Sequence, residues 1–144
     1  PRQRTPDRST AWTGRAIRRT LREACARAGV SAEQVGYVNA RGLGTRRDDA
    51  VEAQAIRDVL GNVPVTALKG FFGDLGAGAG AVEMTADIMA LQKGHIPYTL
   101  NYQTLDPDCP VNVVHSGVGE LEKPVVVKMS QSLAGLQVHR ARPA

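Results

Sequence analysis

The sequence is poor in the side chains that build metal centres, disulfide scaffolds and large aromatic clusters. It has two cysteines, three histidines and an aromatic fraction of only 4% over 144 residues. Cys25 and Cys109 belong to no CxxC or Cys/His cluster, and the histidines are scattered without metal-ligand spacing. We therefore expect no metal site, no disulfide framework and no bound cofactor.

Long apolar runs are also missing. No run of about 18 apolar residues exists, which excludes a membrane-spanning helix. The N-terminus, PRQRTPDRSTAW, has no apolar stretch of signal-peptide length, and no N-x-[ST] acceptor occurs. The hydrophobic fraction of 42% suffices for one domain with a core of Val, Leu, Ile and Ala. These features predict a cytoplasmic protein without a membrane partner.

Charge is distributed unevenly along the chain. Residues 1–47 contain eleven arginines, no lysine and three acids, whereas the remaining residues contain seven bases and eleven acids. Such a basic block can contact nucleic acid, an acidic protein or a phosphorylated segment. The simpler interpretation is that the arginines cover the solvent face of one helix. Because aromatic residues are not interleaved and no known binding motif is present, we expect no nucleic-acid partner.

The first half of the chain alternates helical and extended patterns after an irregular arm, residues 1–13. Apolar residues at helical spacing predict a helix over Gly14–Ala28, with the arginines mostly off its apolar stripe and Gly29 as its stop. The further predictions are a capping box from Ser31 to Gln34, a strand over Val35–Val38, a helix over Asp49–Leu60 ended by Gly61, and a strand over Val63–Leu68.

The second half begins with a glycine-rich turn that feeds a long helix from about Gly76 to Lys93. Its predicted apolar stripe comprises Ala77, Ala81, Met84, Ile88 and Leu91. Residues 96–114 are proline-rich and are expected to be extended or looped. Val125–Ser130 is typical of a strong strand, and Gly135 is expected to turn it back into Leu136–Ala141 as an antiparallel pair. The order of elements predicts an α/β fold in which helices flank a mixed sheet.

Three segments, in chain order, carry a resemblance to a known family. VNARGLGTRRDDAVEAQAI (Val38 to Ile56) is similar to N-A-H-G-T-x-T-x-x-N-D-x-x-E of the β-ketoacyl-acyl-carrier-protein synthases. LKGFFGDLGAGAGAVE (Leu68 to Glu83) resembles their K-S-x-x-G-H-x-x-G-A-A-G-x-x-E. ALQKGHIPYTLNYQTLDPDC (Ala90 to Cys109) resembles their A-L-x-x-G-x-I-P-P-T-x-N and the D-P-x-C that follows. Three motifs with fitting spacing identify the chain as resembling this family over most of its length.

The resemblance implies a thiolase-like fold, a five-layer sandwich of two similar halves. Residues 14–144 correspond to the second half, the β-ketoacyl synthase C-terminal domain, with a five-stranded type of mixed sheet. In the family the nucleophilic cysteine lies in the first half, which this sequence is not expected to contain. Neither Cys25, on an apolar helix stripe, nor Cys109, at a loop position without chemistry in the family, is expected to replace it.

The resemblance also identifies the candidate site residues. Family members place two histidines where they donate hydrogen bonds to the thioester oxyanion, and this chain has Arg41 and Asp74 at those positions. We expect these two side chains to lie close together and to pair. Lys69 and Glu83 keep the family's ion pair, which serves either the chemistry or only the join between a strand end and the long helix. The family's gating aromatic falls at Gly135.

Two functional hypotheses remain open. The first is a β-ketoacyl-acyl-carrier-protein synthase domain, of the acyltransferase family that elongates fatty acids or polyketides by decarboxylative condensation, inactive as it stands. The second is a non-catalytic partner subunit similar to a chain-length factor. Whether the chain is an enzyme stays uncertain. The expected partners are an acyl carrier protein or a ketosynthase partner chain, in a homo- or heterodimer. The glycine-rich GDLGAGAG segment lacks the spacing of a phosphate loop, so no nucleotide site is expected.

Overall fold

The computed structural model describes residues 13–117, 119–129 and 137–140, which form a mixed sheet covered by helices. Its strands are β1 (Tyr37–Asn39), β2 (Pro64–Thr66), β4 (Asn112–Val113), β6 (Val125–Lys128) and β7 (Gln137–Arg140). Their order in the sheet is β4-β2-β1-β6-β7, so the first strand of the chain lies at its centre. β1 is parallel to β2 and β6, β2 is parallel to β4, and β6 is antiparallel to β7. The α/β fold class with a five-stranded mixed sheet is thus confirmed.

The first helix, α1 (Gly14–Ala28), has the bounds that the sequence predicts. The Thr13 hydroxyl accepts a hydrogen bond from Ala16 N at 3.4 Å at the start of the helix. Gly29 adopts a left-handed conformation at its end, as the C-terminal stop requires. The buried positions of this helix are Ile17, Leu21 and Cys25.

The second helix, α2 (Arg46–Leu60), begins one turn earlier than the predicted Asp49. Thr45 is its N-cap residue, and Asp48 and Asp49 lie in the first turn, where the helix dipole favours carboxylates. Gly61 ends the helix as expected.

A short helix, α3 (Lys69–Phe72), and a 3₁₀ turn precede the long helix α4 (Ala79–Lys93). The prediction that this helix ends at Lys93 with Gly94 after it is confirmed. The predicted inward stripe is wrong, because Ala77, Ala81 and Ile88 are exposed. The buried face instead comprises Ala79, Glu83, Asp87 and Ala90. α4 packs Glu83 and Asp87 inward because polar side chains on the sheet lie beneath it.

Two apolar clusters hold the layers together. The larger joins α1 and α2 to one face of the sheet and includes Val38, Val65 and Val127. The smaller lies on the α4 side and contains Tyr37, Ala90, Ile96 and Val126. β6 is buried at all four positions, as expected for a strand covered on both faces.

The remaining segments differ from the predictions in detail. β1 and β2 are shorter than predicted and begin at Tyr37 and Pro64. The segment 96–114, predicted to be extended or looped, supplies the edge strand β4 (Asn112–Val113). β3 (His95–Ile96) and β5 (Gly119–Glu120), on either side of β4 in the chain, pair antiparallel as a second, two-stranded sheet. The predicted antiparallel pairing of the last two strands is confirmed by Val127 opposite Val138. Gly135, the expected turn, lies outside the described residues. None of the described helices is long and apolar enough to cross a membrane.

Candidate functional site

The candidate site is built on two loops that leave neighbouring parallel strands. The first, residues 40–45, follows β1, and the second, residues 67–76, follows β2 and includes α3. Because the carboxyl ends of parallel strands meet at one edge of a sheet, the loops are adjacent, and Ala40 N donates to Thr66 O at 2.8 Å. A cavity of about 450 Å³ lies beside them, with Gly42, Glu52, Lys69 and Asp74 among its lining residues.

The first loop is held by carboxylates of α2. Glu52 is buried, and its two carboxylate oxygens accept hydrogen bonds from Arg41 N at 3.0 Å and Gly42 N at 3.1 Å. Asp49 accepts from Leu43 N at 3.0 Å. Burial raises the pKa of Glu52, while these amide bonds and the charge of Arg41 work in the opposite direction. Asp49 and Glu52, the two acids that the first motif shares with the family, therefore hold the loop that carries Arg41.

Arg41 and Asp74 occupy different environments. Arg41 is 3% exposed, whereas Asp74 is exposed and its Oδ1 accepts from Gly76 N at 3.0 Å within its own turn. The ion pairs that join described side chains do not include one between these two residues. The expected ion pair between Arg41 and Asp74 is thus not found among the described residues. The physical reason is that Asp74 closes its own turn in solvent while Arg41 is buried beside Glu52.

Lys69 and Glu83, the retained family pair, do come together. Lys69 Nζ lies 2.5 Å from Glu83 Oε1 and joins α3 to α4. A second lysine, Lys128 of β6, lies 3.2 Å from the other oxygen, Glu83 Oε2. Sequence analysis missed Lys128, although a lysine within the apolar run VVVKM was a usable signal. Glu83 therefore neutralises two cations in the layer between sheet and helix.

Beneath α4 the sheet presents a row of polar side chains, which we call the polar layer. Thr66, Asn39 and Lys128 lie in register on β2, β1 and β6, and all three are buried. Asp87 of α4 accepts from Asn39 Nδ2 at 2.9 Å and from the Tyr37 hydroxyl at 2.7 Å.

These contacts bear on two acid groups. Burial raises the pKa of Asp87 to about 6, although the hydrogen bonds from Tyr37 and Asn39 and the charge of Lys128 oppose the rise. The pKa of the Tyr37 phenol is also raised, by burial first and then by Asp87.

The two thiols are poorly suited to nucleophilic attack. Cys25 is buried on α1, and burial raises its pKa. The pKa of Cys109 is raised by burial and then by nearby carboxylates, of which Asp106 is the strongest. Since the thiolate is the reactive form, both environments favour inert thiols. Within residues 13–117, 119–129 and 137–140, no group of three or more His, Cys, Asp or Glu side chains could hold a metal ion.

The sequence of this chain is similar to that of a known protein family. The family model of the β-ketoacyl synthase, C-terminal domain, matches residues 4–103. Nodulation protein E of Rhizobium sp. (strain N33) is 33% identical over 120 residues, which cover 81% of this chain and 30% of that protein.

Two solved structures are similar in fold. The ishigamide ketosynthase/chain length factor has a TM-score of 0.81 and 32% identity, over 90% of this chain and 34% of that one. A type II PKS acyl-carrier protein in complex with its ketosynthase bound to the hexaketide has a TM-score of 0.83 and 31% identity, over 90% and 34%. The chain thus spans about a third of the length of the proteins that it matches.

Proposed function

This chain belongs to the β-ketoacyl synthase family, in which it corresponds to the C-terminal domain, and we propose that it contributes this half of a ketosynthase fold to an assembly that elongates fatty acids or polyketides. In the proposed assembly it performs no condensation of its own. Its proposed partners are an acyl carrier protein or a ketosynthase partner chain, and both are supported by complexes among its structural relatives. A cytoplasmic location and a homo- or heterodimer stay predictions.

The observation that carries this proposal is the exposed carboxylate of Asp74 at the position of a family histidine. Decarboxylation of a malonyl thioester builds negative charge on the thioester oxygen, which needs hydrogen-bond donors. An ionised carboxylate only accepts hydrogen bonds and repels such an oxygen. Arg41 stands at the other histidine position, but it is buried and charged, and a guanidinium does not replace an imidazole without rearrangement.

The retained pair has a structural role in this proposal. Lys69 ties α3 to Glu83 of α4, and Lys128 ties the same carboxylate to β6. The pair therefore fixes the second loop to the sheet and helix, although the histidine position that it supports in the family holds Asp74 here.

An apolar outer surface supports assembly with another half-domain. α4 turns Glu83 and Asp87 inward, so its solvent side is left without charge until Lys93. Large apolar side chains on α3, α4 and the turn between them are 41–48% exposed, namely Phe71, Leu75, Val82, Ile88 and Met89. We call these five residues the apolar face. Large apolar side chains exposed on neighbouring elements are candidates for an interaction site, and a ketosynthase first half is the proposed cover.

A second candidate is a partner subunit similar to a chain-length factor. The replacement of both histidine positions favours it, because such a subunit needs the fold but not the oxyanion donors. The chain length factor named in one structural relative supports this alternative. Here the chain would act by pairing with an active sister subunit.

A malonyl-carrier decarboxylation assay tests the proposal. The chain is assayed alone, then mixed with a ketosynthase first half that carries its cysteine, and the Arg41→His/Asp74→His variant is run in parallel. We expect no carbon dioxide from the unmodified chain, either alone or mixed with the first half. Carbon dioxide release by the unmodified chain alone contradicts the non-catalytic assignment. A changed product length when the chain is added to an active ketosynthase selects the second candidate.

A further inference from the structure

The three methionines of the chain lie in graded environments. Met129, directly after β6, is 1% exposed, Met84 of α4 is partly buried, and Met89 of the same helix is 48% exposed. Met89 is also the most exposed member of the apolar face. A reagent in solution therefore reaches Met89 more readily than the other two methionines, as long as nothing covers that face.

The neighbours of Met89 on α4 place it within the apolar face and not at an isolated surface position. Val82 lies seven residues earlier, on the same side of the helix, and Ile88 is adjacent. The hydroxyl of Thr85, one turn before Met89, already donates to Ala81 O at 2.9 Å. The side chains of the other four members of the face contain no hydrogen-bond donor. A polar atom created at Met89 would therefore find no donor within the apolar face.

Oxidation of the thioether to a sulfoxide is the modification that creates such an atom. A lone pair of the sulfur attacks one oxygen of a peroxide, the O–O bond breaks and an S=O bond forms. The sulfur loses two electrons, the peroxide is reduced, and water leaves. The product is a polar side chain in place of an apolar one. A methionine sulfoxide reductase reverses the step, in which two thiols become one disulfide and the oxygen leaves as water.

We propose that Met89 is a sulfoxidation site at which a peroxide switches off association through the apolar face. For its partner the proposal rests on the proposed function, because the surface that is switched is the one assigned to a ketosynthase first half. Burial of a sulfoxide oxygen without a donor is unfavourable, so the oxidised chain binds its partner more weakly. Association in turn covers Met89, so the unassembled chain is the form that the peroxide modifies.

The first measurement is the order in which the methionines gain oxygen. The whole folded chain is treated with dilute hydrogen peroxide, and its proteolytic peptides are followed over time by mass spectrometry. We expect Met89 to react first, Met84 more slowly and Met129 last. A ketosynthase first half, added before the peroxide, should slow the reaction at Met89.

The second measurement is association, by sedimentation, of the chain with itself and with the first half after the peroxide is removed. Oxidation should weaken both by roughly tenfold, because an unpaired polar atom is buried, and the reductase should restore them. Met89→Leu nearly conserves volume, so it should associate like the parent and lose the response to peroxide. Met84→Leu is the matched control and should keep the response. Met89→Gln, polar without any oxidant, should associate weakly, and all variants should keep the circular dichroism of the parent.

Three results overturn the proposal: oxidation of Met129 as fast as that of Met89, unchanged association of a parent oxidised at Met89, and an equal response to peroxide in Met89→Leu. The proposed function survives each of them if the unoxidised parent binds the first half. Failure of the first half to bind, with a self-association that peroxide weakens through Met89, supports the switch and counts against the proposed function. Absence of both associations overturns both.

Discussion

At the scale of single residues, Glu83 is the carboxylate on which the polar layer depends. It is 2% exposed and touches Lys69 and Lys128, the second of which is itself 1% exposed. Taking one charge out of such a group leaves another buried without compensation, which costs more than the intact group contributes.

Glu83→Gln should therefore lower the free energy of unfolding by about 3–5 kcal/mol, measured by urea denaturation. Glu120→Gln, at an exposed position, should change it by less than about 0.5 kcal/mol. Adding Lys128→Met to Glu83→Gln should recover part of the loss, because the uncompensated cation is then removed. A double variant less stable than the single one would contradict the assigned ion pairs.

Asp87 gives the domain a predictable dependence on pH. Its pKa is about 6 in the folded chain and near the ordinary 3.8 in the unfolded one, so the folded state holds the proton more tightly. The stability that this group contributes is present below the unfolded pKa and is lost as pH rises through 6. The loss is about 3 kcal/mol by linkage.

Asp87→Asn removes this titration. As pH rises from 3.5 to 7, the parent loses this stability and D87N does not. The unfolding free energy of D87N relative to that of the parent should therefore increase by about 3 kcal/mol over this range. Asp108→Asn, at an exposed position, should run parallel to the parent. Parallel curves for D87N and the parent would show that burial does not raise the pKa of Asp87.

At the scale of elements, the first site loop contains two glycines with left-handed backbone, and at one of them a side chain would also clash with the second loop. Gly42 has φ +48°, and a Cβ there would meet the Ala67 Cβ at 2.6 Å. Gly44 has φ +76°, and a Cβ there would have no neighbour within 4 Å. Both positions have a left-handed backbone, but only Gly44 has room for a side chain.

Gly44→Ala should cost about 1 kcal/mol of unfolding free energy, the strain of the left-handed conformation. Gly42→Ala should cost more, by about 1–3 kcal/mol for overpacking against the second loop. Thermal or urea unfolding of both variants measures the difference. Equal losses of unfolding free energy in the two variants would mean that the second site loop moves away from position 42 without cost.

Elements whose packing follows hydrophobicity were predictable, and those governed by polar contacts were not. The bounds of α1 followed from Ile17 and Leu21 at helical spacing and from Gly29. The bounds of α4 were also near the prediction, but its face was reversed, because Glu83 and Asp87 are buried against groups that the fold brings from β1 and β6. The apolar run VVVKM marked Lys128 as a buried lysine and motif order located Glu83, but only the fold shows that the two side chains contact each other.

At the scale of the whole molecule, the apolar face should make the isolated chain associate with itself. Burying large apolar side chains contributes about 25 cal/mol per Å² of area removed from water. Sedimentation should show association that increases with concentration, and Val82→Glu/Ile88→Glu should weaken it by about tenfold or more. Leu105→Glu is the matched control, because Leu105 is 63% exposed outside the apolar face. A strictly monomeric parent at high concentration would contradict the assigned face.

The central position of β1 also determines the order in which the ribosome can complete this domain. Tyr37 lies beside Val126, so the two strands are separated by about 90 residues of synthesis. At roughly 5–20 residues per second, β1 waits about 5–18 s for its partner after it has been made. Until Val125, Val127 and Met129 arrive, the core on the α1 and α2 side lacks three of its buried members. A nascent chain stalled before this point presents an unpaired strand edge beside open apolar surface, which makes it a substrate for ribosome-associated chaperones.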